Sequence, residues 1–144
     1  MQEEDALAPM RLTWEPGLDS GHPTIDLQHR SLLDACNELA GLCSGSERPA
    51  HFDRALSELK ARLRMHLEAE AQLLAAGDPA AHEDLLAERE DFEALAEEIA
   101  TTEHFDRLEL QPFLALWCQG HVRASARLLR AALAAGAVSI NPTL

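Results

Sequence analysis

Three histidines and one glutamate carry the clearest chemical signal in this sequence. His29, His66, Glu70 and His121 lie on three separate stretches of helical periodicity, each within the apolar stripe of its stretch. Because such a stripe faces the core of a helical domain, we expect all four polar side chains to point inward. A buried carboxylate is costly unless it is paired or metal-bound, so Glu70 requires a partner.

The spacing of His66 and Glu70 favours a shared target. The two residues are four positions apart, so on a helix they lie about 40° from each other and can touch one object. A single inward histidine is more often a hydrogen-bonded core residue than a ligand. Three histidines converging on a carboxylate favour a site instead, since imidazole and carboxylate together are the usual donors for Fe and Zn.

The elements that must position these residues are predicted to form one all-α domain. The chain has 144 residues, contains no tyrosine and is rich in residues that favour helix. Residues 1–22 lack helical period and predict an extended arm, packed over the domain through Trp14. Helices are predicted from Pro23 to about Cys43, from about Pro49 to Ala75, from Pro79 to about Ile99, and from about Glu109 to Ala135. An antiparallel up-down four-helix bundle over residues 1–144 is the economical arrangement.

The segments between the predicted helices carry turn signals. Residues 45–49 are predicted to end the first helix, and residues 101–108 are predicted to form a loop before the fourth. Asp78 is expected to cap the third helix, with Pro79 in its first turn. Gly136 is expected to end the fourth helix.

Charge and composition exclude several classes of function. The formal net charge of −13 argues against nucleic acid or an anionic membrane surface as a partner, because both would be repelled. No apolar run approaches the length of about 20 residues that spans a bilayer, and Met1 to Asp5 are acidic, so we expect a cytoplasmic protein. The 3 cysteines form an odd set without metal-finger spacing, which predicts reduced thiols.

Several short segments follow the pattern of a known family. They are Leu12-Thr13-Trp14 in the arm, Ile25-Asp26-Leu27-Gln28-His29, Asn37-Glu38-Leu39, His66-Leu67-x-x-Glu70 and Trp117-x-x-x-His121-Val122. Together they resemble the hemerythrin family, including bacterial hemerythrins, over about residues 12–130. The resemblance implies a four-helix bundle around two non-haem irons, bridged by a Glu, an Asp and an oxo group, with reversible O2 binding at one iron.

The ligands that this resemblance implies are only partly present. His29 and His66 match the two histidine ligands of one iron, Glu70 matches the bridging glutamate, and His121 matches one of three histidines on the other iron. Leu85 and Arg89 stand where the family has a His-x-x-x-His pair, and Ala126 stands where it has the bridging aspartate. We therefore expect no intact di-iron centre, and at most one Fe or Zn ion held by His29, His66, Glu70 and His121.

Arg89 differs from the family's histidine ligand in a way that would change the charge of the site. A guanidinium at a ligand position would repel a second cation and could give Glu70 a bidentate partner. One hypothesis is therefore an Arg89–Glu70 ion pair that substitutes for part of the metal cluster. The alternative is that Arg89 reaches outward at the helix edge while Leu85 fills the core.

Other titratable residues receive more ordinary interpretations. His82 would approach the site only if the third helix were shifted. His22, His51 and His104 are expected near loops and helix ends, where they are solvated, and Glu68 and Glu88 are expected on solvated flanks. Cys36, Cys43 and Cys118 follow the inner stripes, where a thiol could be a metal ligand or redox sensor, although small core residues are the favoured interpretation.

Three functions remain open from the sequence. The first is a binding or sensing protein with a partial metal site and a diatomic or other small ligand. The second is a metal-free regulatory bundle that binds a small molecule or a protein partner. The third is a mononuclear non-haem iron enzyme acting on O2 or peroxide, with His29, His66 and Glu70 as its facial triad and Arg89 steering an anionic oxygen. No motif supports haem.

Overall fold

The computed structural model describes residues 9–43, 49–75, 77–101 and 107–140, and it confirms the four predicted helices. A short 3-10 turn at Pro16–Leu18 precedes them. The helices are α1 (Pro23–Leu42), α2 (Pro49–Ala75), α3 (Pro79–Thr101) and α4 (Arg107–Ala134). No strand occurs within these four ranges. The predicted helix ends agree with the observed ones to within one or two residues, while the predicted turn residues 45–48 and most of the 101–108 loop lie outside the described residues.

The helices pack as an antiparallel four-helix bundle. α1 packs against α2 and α4, and α2 packs against α3. α3 and α4 meet through Phe92 and Trp117, whose ring centroids are 5.0 Å apart. Each helix therefore contacts two neighbours, and the apolar stripes of all four face one core, as the up-down arrangement requires.

Helix ends follow the predicted turn chemistry with one correction. The Asp78 carboxylate accepts a hydrogen bond from the Ala81 N–H at 3.2 Å, which caps α3, and Gly136 has a positive φ of 77° just beyond α4. His22, which the sequence placed among solvated histidines, is buried instead. Its Nδ1 accepts a hydrogen bond from the Ile25 N–H at 3.4 Å, so it is the N-cap of α1.

The described part of the N-terminal arm is held to the bundle by two amide side chains. Asn37 of α1 bonds both the N–H and the carbonyl of Leu12, at 2.7 and 2.8 Å. Gln111 of α4 does the same with Met10, at 2.7 and 2.8 Å. Trp14 packs against the core as predicted and carries the Arg30 guanidinium over its ring, 4.3 Å from the centroid. Residues 1–8 lie outside the described part of the chain.

No helix in the described ranges combines the length and the apolar character needed to cross a bilayer.

Candidate metal centre

The structure brings the four candidate residues together in the bundle core. α1 carries His29, α2 carries His66 and Glu70, and α4 carries His121, and none of these residues is more than 3% exposed. One ligand atom from each residue lies within 4.8 Å of the ligand atoms of the other three. The periodicity of the sequence predicted this inward orientation, because each residue belongs to the buried stripe of its helix.

The carboxylate of Glu70 lies at the centre of the cluster. Its Oε2 lies 3.1 Å from His29 Nε2 and 3.3 Å from His66 Nε2, and its Oε1 lies 3.3 Å from His121 Nε2. The hydroxyl of Ser125, on α4, donates a hydrogen bond to Oε2. Apart from its contact with His121, the buried Oε1 has no hydrogen-bond partner within the described residues, so the carboxylate keeps acceptor capacity directed into the cluster.

The outer ring nitrogens of the histidines have different partners. His66 Nδ1 lies 2.7 Å from Gln28 Oε1, and His121 Nδ1 lies 3.0 Å from Glu88 Oε2. Both partner oxygens accept hydrogen bonds, so both Nδ1 atoms carry the hydrogen and donate it. In the neutral tautomer, the Nε2 lone pairs of His66 and His121 therefore both face the cluster, as metal ligation requires.

This arrangement accommodates a cation. His66 Nε2 and His121 Nε2 are 3.2 Å apart, and two lone pairs cannot face each other at this distance without a proton or a metal ion between them. Oε1 of Glu70, which faces His121 Nε2 at 3.3 Å and has no other partner in the described ranges, adds a negative acceptor at the same place. Three imidazole nitrogens and a carboxylate match the donor preferences of Fe and Zn, so the residues fit the ion that the sequence predicted.

The pKa values of the cluster show how it is charged without a metal. Burial opposes ionisation of Glu70, but hydrogen bonds with His121, His29 and His66 outweigh it and hold the pKa of Glu70 well below its usual range. Burial also lowers the pKa of His66, and the hydrogen bond to Glu70 only partly offsets this. For His121 burial is outweighed by hydrogen bonds to Glu70 and Glu88, which raise its pKa to about 9. The metal-free cluster therefore holds an ionised Glu70 beside a protonated His121.

Arg89 does not join this cluster. Its guanidinium lies 3.7 Å from Glu68 and 3.6 Å from Glu93, and about a third of its side chain is exposed. The structure thus replaces the hypothesised Arg89–Glu70 ion pair with the outward-reaching alternative. The physical reason is that exposed carboxylates on α2 and α3 satisfy the guanidinium at the surface, where its charge keeps part of its hydration.

Two other residues at the unmatched family positions fill the core. Leu85 is 5% exposed and belongs to the apolar core, and Ala126 is fully buried on α4. Neither side chain has an atom that can bind a metal. Ser125, beside Ala126, supplies the polar contact to Glu70 instead.

His82 and the cysteines have other partners. His82 Nδ1 lies 2.7 Å from the Ala71 carbonyl, which ties α3 to α2, and His82 is not one of the four clustered residues. Cys36 and Cys118 are buried in the core, and a hydrogen bond between them, together with burial, raises the pKa of Cys118 well above its usual range. A thiol with a raised pKa, such as Cys118, is a poor metal ligand and a poor redox sensor, which agrees with its favoured interpretation as a core residue.

Sequence reasoning missed the contacts made by Gln28, Glu88 and Ser125. Glu88 was assigned to a solvated flank, but its side chain is only 33% exposed and it contacts the buried ring of His121. One signal could have identified it, because position 88 lies on α3 about one turn after the buried Leu85, at the edge of the inner stripe. Gln28 directly precedes His29, yet its side chain accepts a hydrogen bond from His66 on the neighbouring helix. No local sequence pattern shows this contact.

Comparison with known families agrees with this geometry. The family model described as the hemerythrin HHE cation-binding domain matches residues 20–133. Neither the curated proteins nor the solved structures gave a match to the chain. The matched range contains the whole cluster of His29, His66, Glu70 and His121. The chain therefore belongs to the hemerythrin family of cation-binding four-helix bundles.

Proposed function

We propose that this protein is a non-standard hemerythrin-like binding or sensing protein that holds one Fe or Zn ion through His29, His66, Glu70 and His121. The observation that carries the proposal is the convergence of the four ligand atoms within 4.8 Å of one another in the core. When bound, the ion would supply Lewis acidity and, if it is iron, a redox centre.

The proposed ligand atoms are preorganised in the metal-free protein. Gln28 and Glu88 hold the outer nitrogens of His66 and His121, so the inner nitrogens point at Glu70. Buried leucines on α2, Leu63 and Leu67, flank His66 along the helix and help to keep bulk water from the donors. A dry, preorganised donor set strengthens electrostatic attraction to a cation.

The surroundings of the cluster support one ion and not two. Leu85 and Ala126 offer no donor atom, and Arg89 is turned toward Glu68 and Glu93. Across the described ranges, only this one group of three or more metal-binding side chains occurs. We therefore propose that the protein is not a normal di-iron O2 carrier, and that a diatomic or other small ligand of the single ion is its partner.

A second candidate is a metal-free regulatory bundle. The observation that favours it is that Glu70 already contacts three imidazoles and accepts a hydrogen bond from Ser125. A protonated His121 then supplies the positive charge that the carboxylate needs, so the core can fold without an ion.

Elemental analysis of protein from iron- and zinc-supplemented cells tests the proposal. We expect about one metal ion per chain, lost in His66→Ala and kept in the control His51→Ala, which changes an exposed histidine on the same helix. Two irons per chain would contradict the single site. A folded protein without metal would favour the regulatory bundle. If iron is bound, NO and O2 titrations followed by visible spectra, with a peroxide turnover assay, separate a sensor from an enzyme.

A further inference from the structure

We propose that Glu88 is a positioning residue that makes His121 the strongest imidazole donor of the cluster and suits the site to a divalent ion. This inference rests on the proposed metal-binding function. It starts from a difference among the three histidines, which present Nε2 to the same carboxylate but have unequal partners at Nδ1.

The partners form a graded series. His121 Nδ1 donates to a carboxylate, Glu88, at 3.0 Å. His66 Nδ1 donates to a neutral amide oxygen, Gln28 Oε1, at 2.7 Å. His29 Nδ1 is buried and has no hydrogen-bond partner in the described part of the chain. A hydrogen bond from Nδ1 to an anion raises the basicity of Nε2 more than one to a neutral oxygen, so donor strength should fall from His121 to His66 to His29.

Glu88 and Trp117 together restrict the orientation of the His121 ring. Trp117 stacks on this ring with an interplanar angle of 8° and a centroid distance of 5.7 Å, which defines the plane of the imidazole. The bond from Nδ1 to Glu88 then defines the rotation of the ring within that plane. With both contacts present, Nε2 has one direction available, and that direction faces Glu70.

Glu88 lies at the border between solvent and the core, where it contacts a buried ring. Its side chain is 33% exposed, whereas that of His121 is 1% exposed. Glu88 lines a cavity of about 190 Å³ between α3 and α4, with Asp84 and Leu85 on the same helix.

Glu88 also changes the charge balance of the centre. With an ion in place of the proton on His121, the carboxylates of Glu70 and Glu88 would face three neutral imidazoles. The neighbouring Arg89 is paired with Glu68 and Glu93 instead. A divalent ion is therefore neutralised by its immediate surroundings, which a buried charge requires. Without Glu88, the same ion would leave one positive charge uncompensated.

Co(II) titration of the metal-free protein tests the role of Glu88, because Co(II) reports both affinity and donor strength through its visible absorption. Because a proton on His121 competes with the ion, the affinity is measured at several pH values and corrected for this competition. We expect Glu88→Gln to weaken the corrected Co(II) affinity by about 10- to 100-fold and to shift the absorption bands of the bound ion. Asp84→Asn is the matched control. It removes one exposed carboxylate from the same cavity without a contact to His121, so it should weaken binding only a few-fold.

A gain-of-function variant gives a second readout. Gln28→Glu places a carboxylate behind His66, so it should tighten Co(II) binding and shift the bands opposite to Glu88→Gln. Circular dichroism of the metal-free variants checks that folding is unchanged. Equal weakening in Glu88→Gln and Asp84→Asn, or no weakening in Glu88→Gln, would overturn the role of Glu88 alone. A wild-type protein that takes up no Co(II) would overturn the metal-binding function and this inference with it.

Discussion

His66 Nε2 and His121 Nε2 lie 3.2 Å apart, and this contact requires a positive charge between the two rings. Both histidines donate from Nδ1, to Gln28 and to Glu88, so without that charge two lone pairs would face each other. In the metal-free protein a proton on His121 meets the requirement, because the pKa of His121 is raised to about 9. A metal ion would take the place of that proton, so proton and metal compete for one position.

Glu70→Gln should abolish metal uptake while leaving a folded protein. The amide keeps the shape of the side chain but removes the negative charge that three imidazoles face. Glu88 still faces His121, which limits the cost, and we expect a loss of about 1–3 kcal/mol in the free energy of unfolding of the metal-free protein. Urea denaturation measures this loss. Glu68→Gln, on the same helix and 55% exposed, is the control and should change stability by no more than about 0.5 kcal/mol.

The metal-free protein should lose stability as the pH rises from about 6.5 to about 9. Burial lowers the pKa of His121, but hydrogen bonds to Glu70 and Glu88 raise it from 6.5 to about 9 in the folded state. A group with a raised folded pKa stabilises fully below its unfolded pKa and loses that contribution as the pH passes its folded pKa. Unfolding by urea at several pH values should show a loss on the order of 3 kcal/mol. His121→Gln should flatten this slope, and an equally steep slope in that variant would assign the effect to another group.

Metal uptake at neutral pH should release about one proton per ion. The proton is the one on His121, which the ion displaces from the space between His121, His66 and Glu70. The apparent affinity should therefore rise about tenfold per pH unit up to about pH 9. Calorimetric titration in two buffers of different ionisation enthalpy measures the protons released. Uptake with no proton release would show that the metal-free cluster holds no imidazolium.

Arg89→Ala should have little effect on either the fold or the metal content. The guanidinium is partly exposed and pairs with Glu68 and Glu93 at the surface, where such pairs contribute about 0–1 kcal/mol. Thermal unfolding and elemental analysis check the two expectations. Arg64→Ala removes another exposed arginine that contacts Glu93 and serves as the control. A large loss of stability or a rise in metal content for Arg89→Ala alone would indicate that Arg89 interacts with Glu70 in the core.

Helical periodicity predicted most of the fold and the inner faces of the site. His29, His66, Glu70 and His121 could be placed because each follows the spacing of its apolar neighbours, and that spacing determines which side of a helix is buried. Proline and glycine signals predicted the helix ends at Pro23, Pro49, Pro79 and Gly136 for the same local reason. These features depend on residues close together along the chain.

The sequence by itself therefore determined the four helices, their inward faces and the four residues of the cluster. The tertiary structure decided which partner each polar side chain has. Arg89 lies on the same helix face as Leu85 by spacing, yet its long side chain reaches Glu68 on α2. Glu88 belongs to a polar run, yet it reaches the His121 ring on α4, and Gln28 on α1 reaches His66 on α2. Such contacts depend on the rotation and separation of two packed helices and on the reach of a flexible side chain, which no periodicity within a single helix encodes.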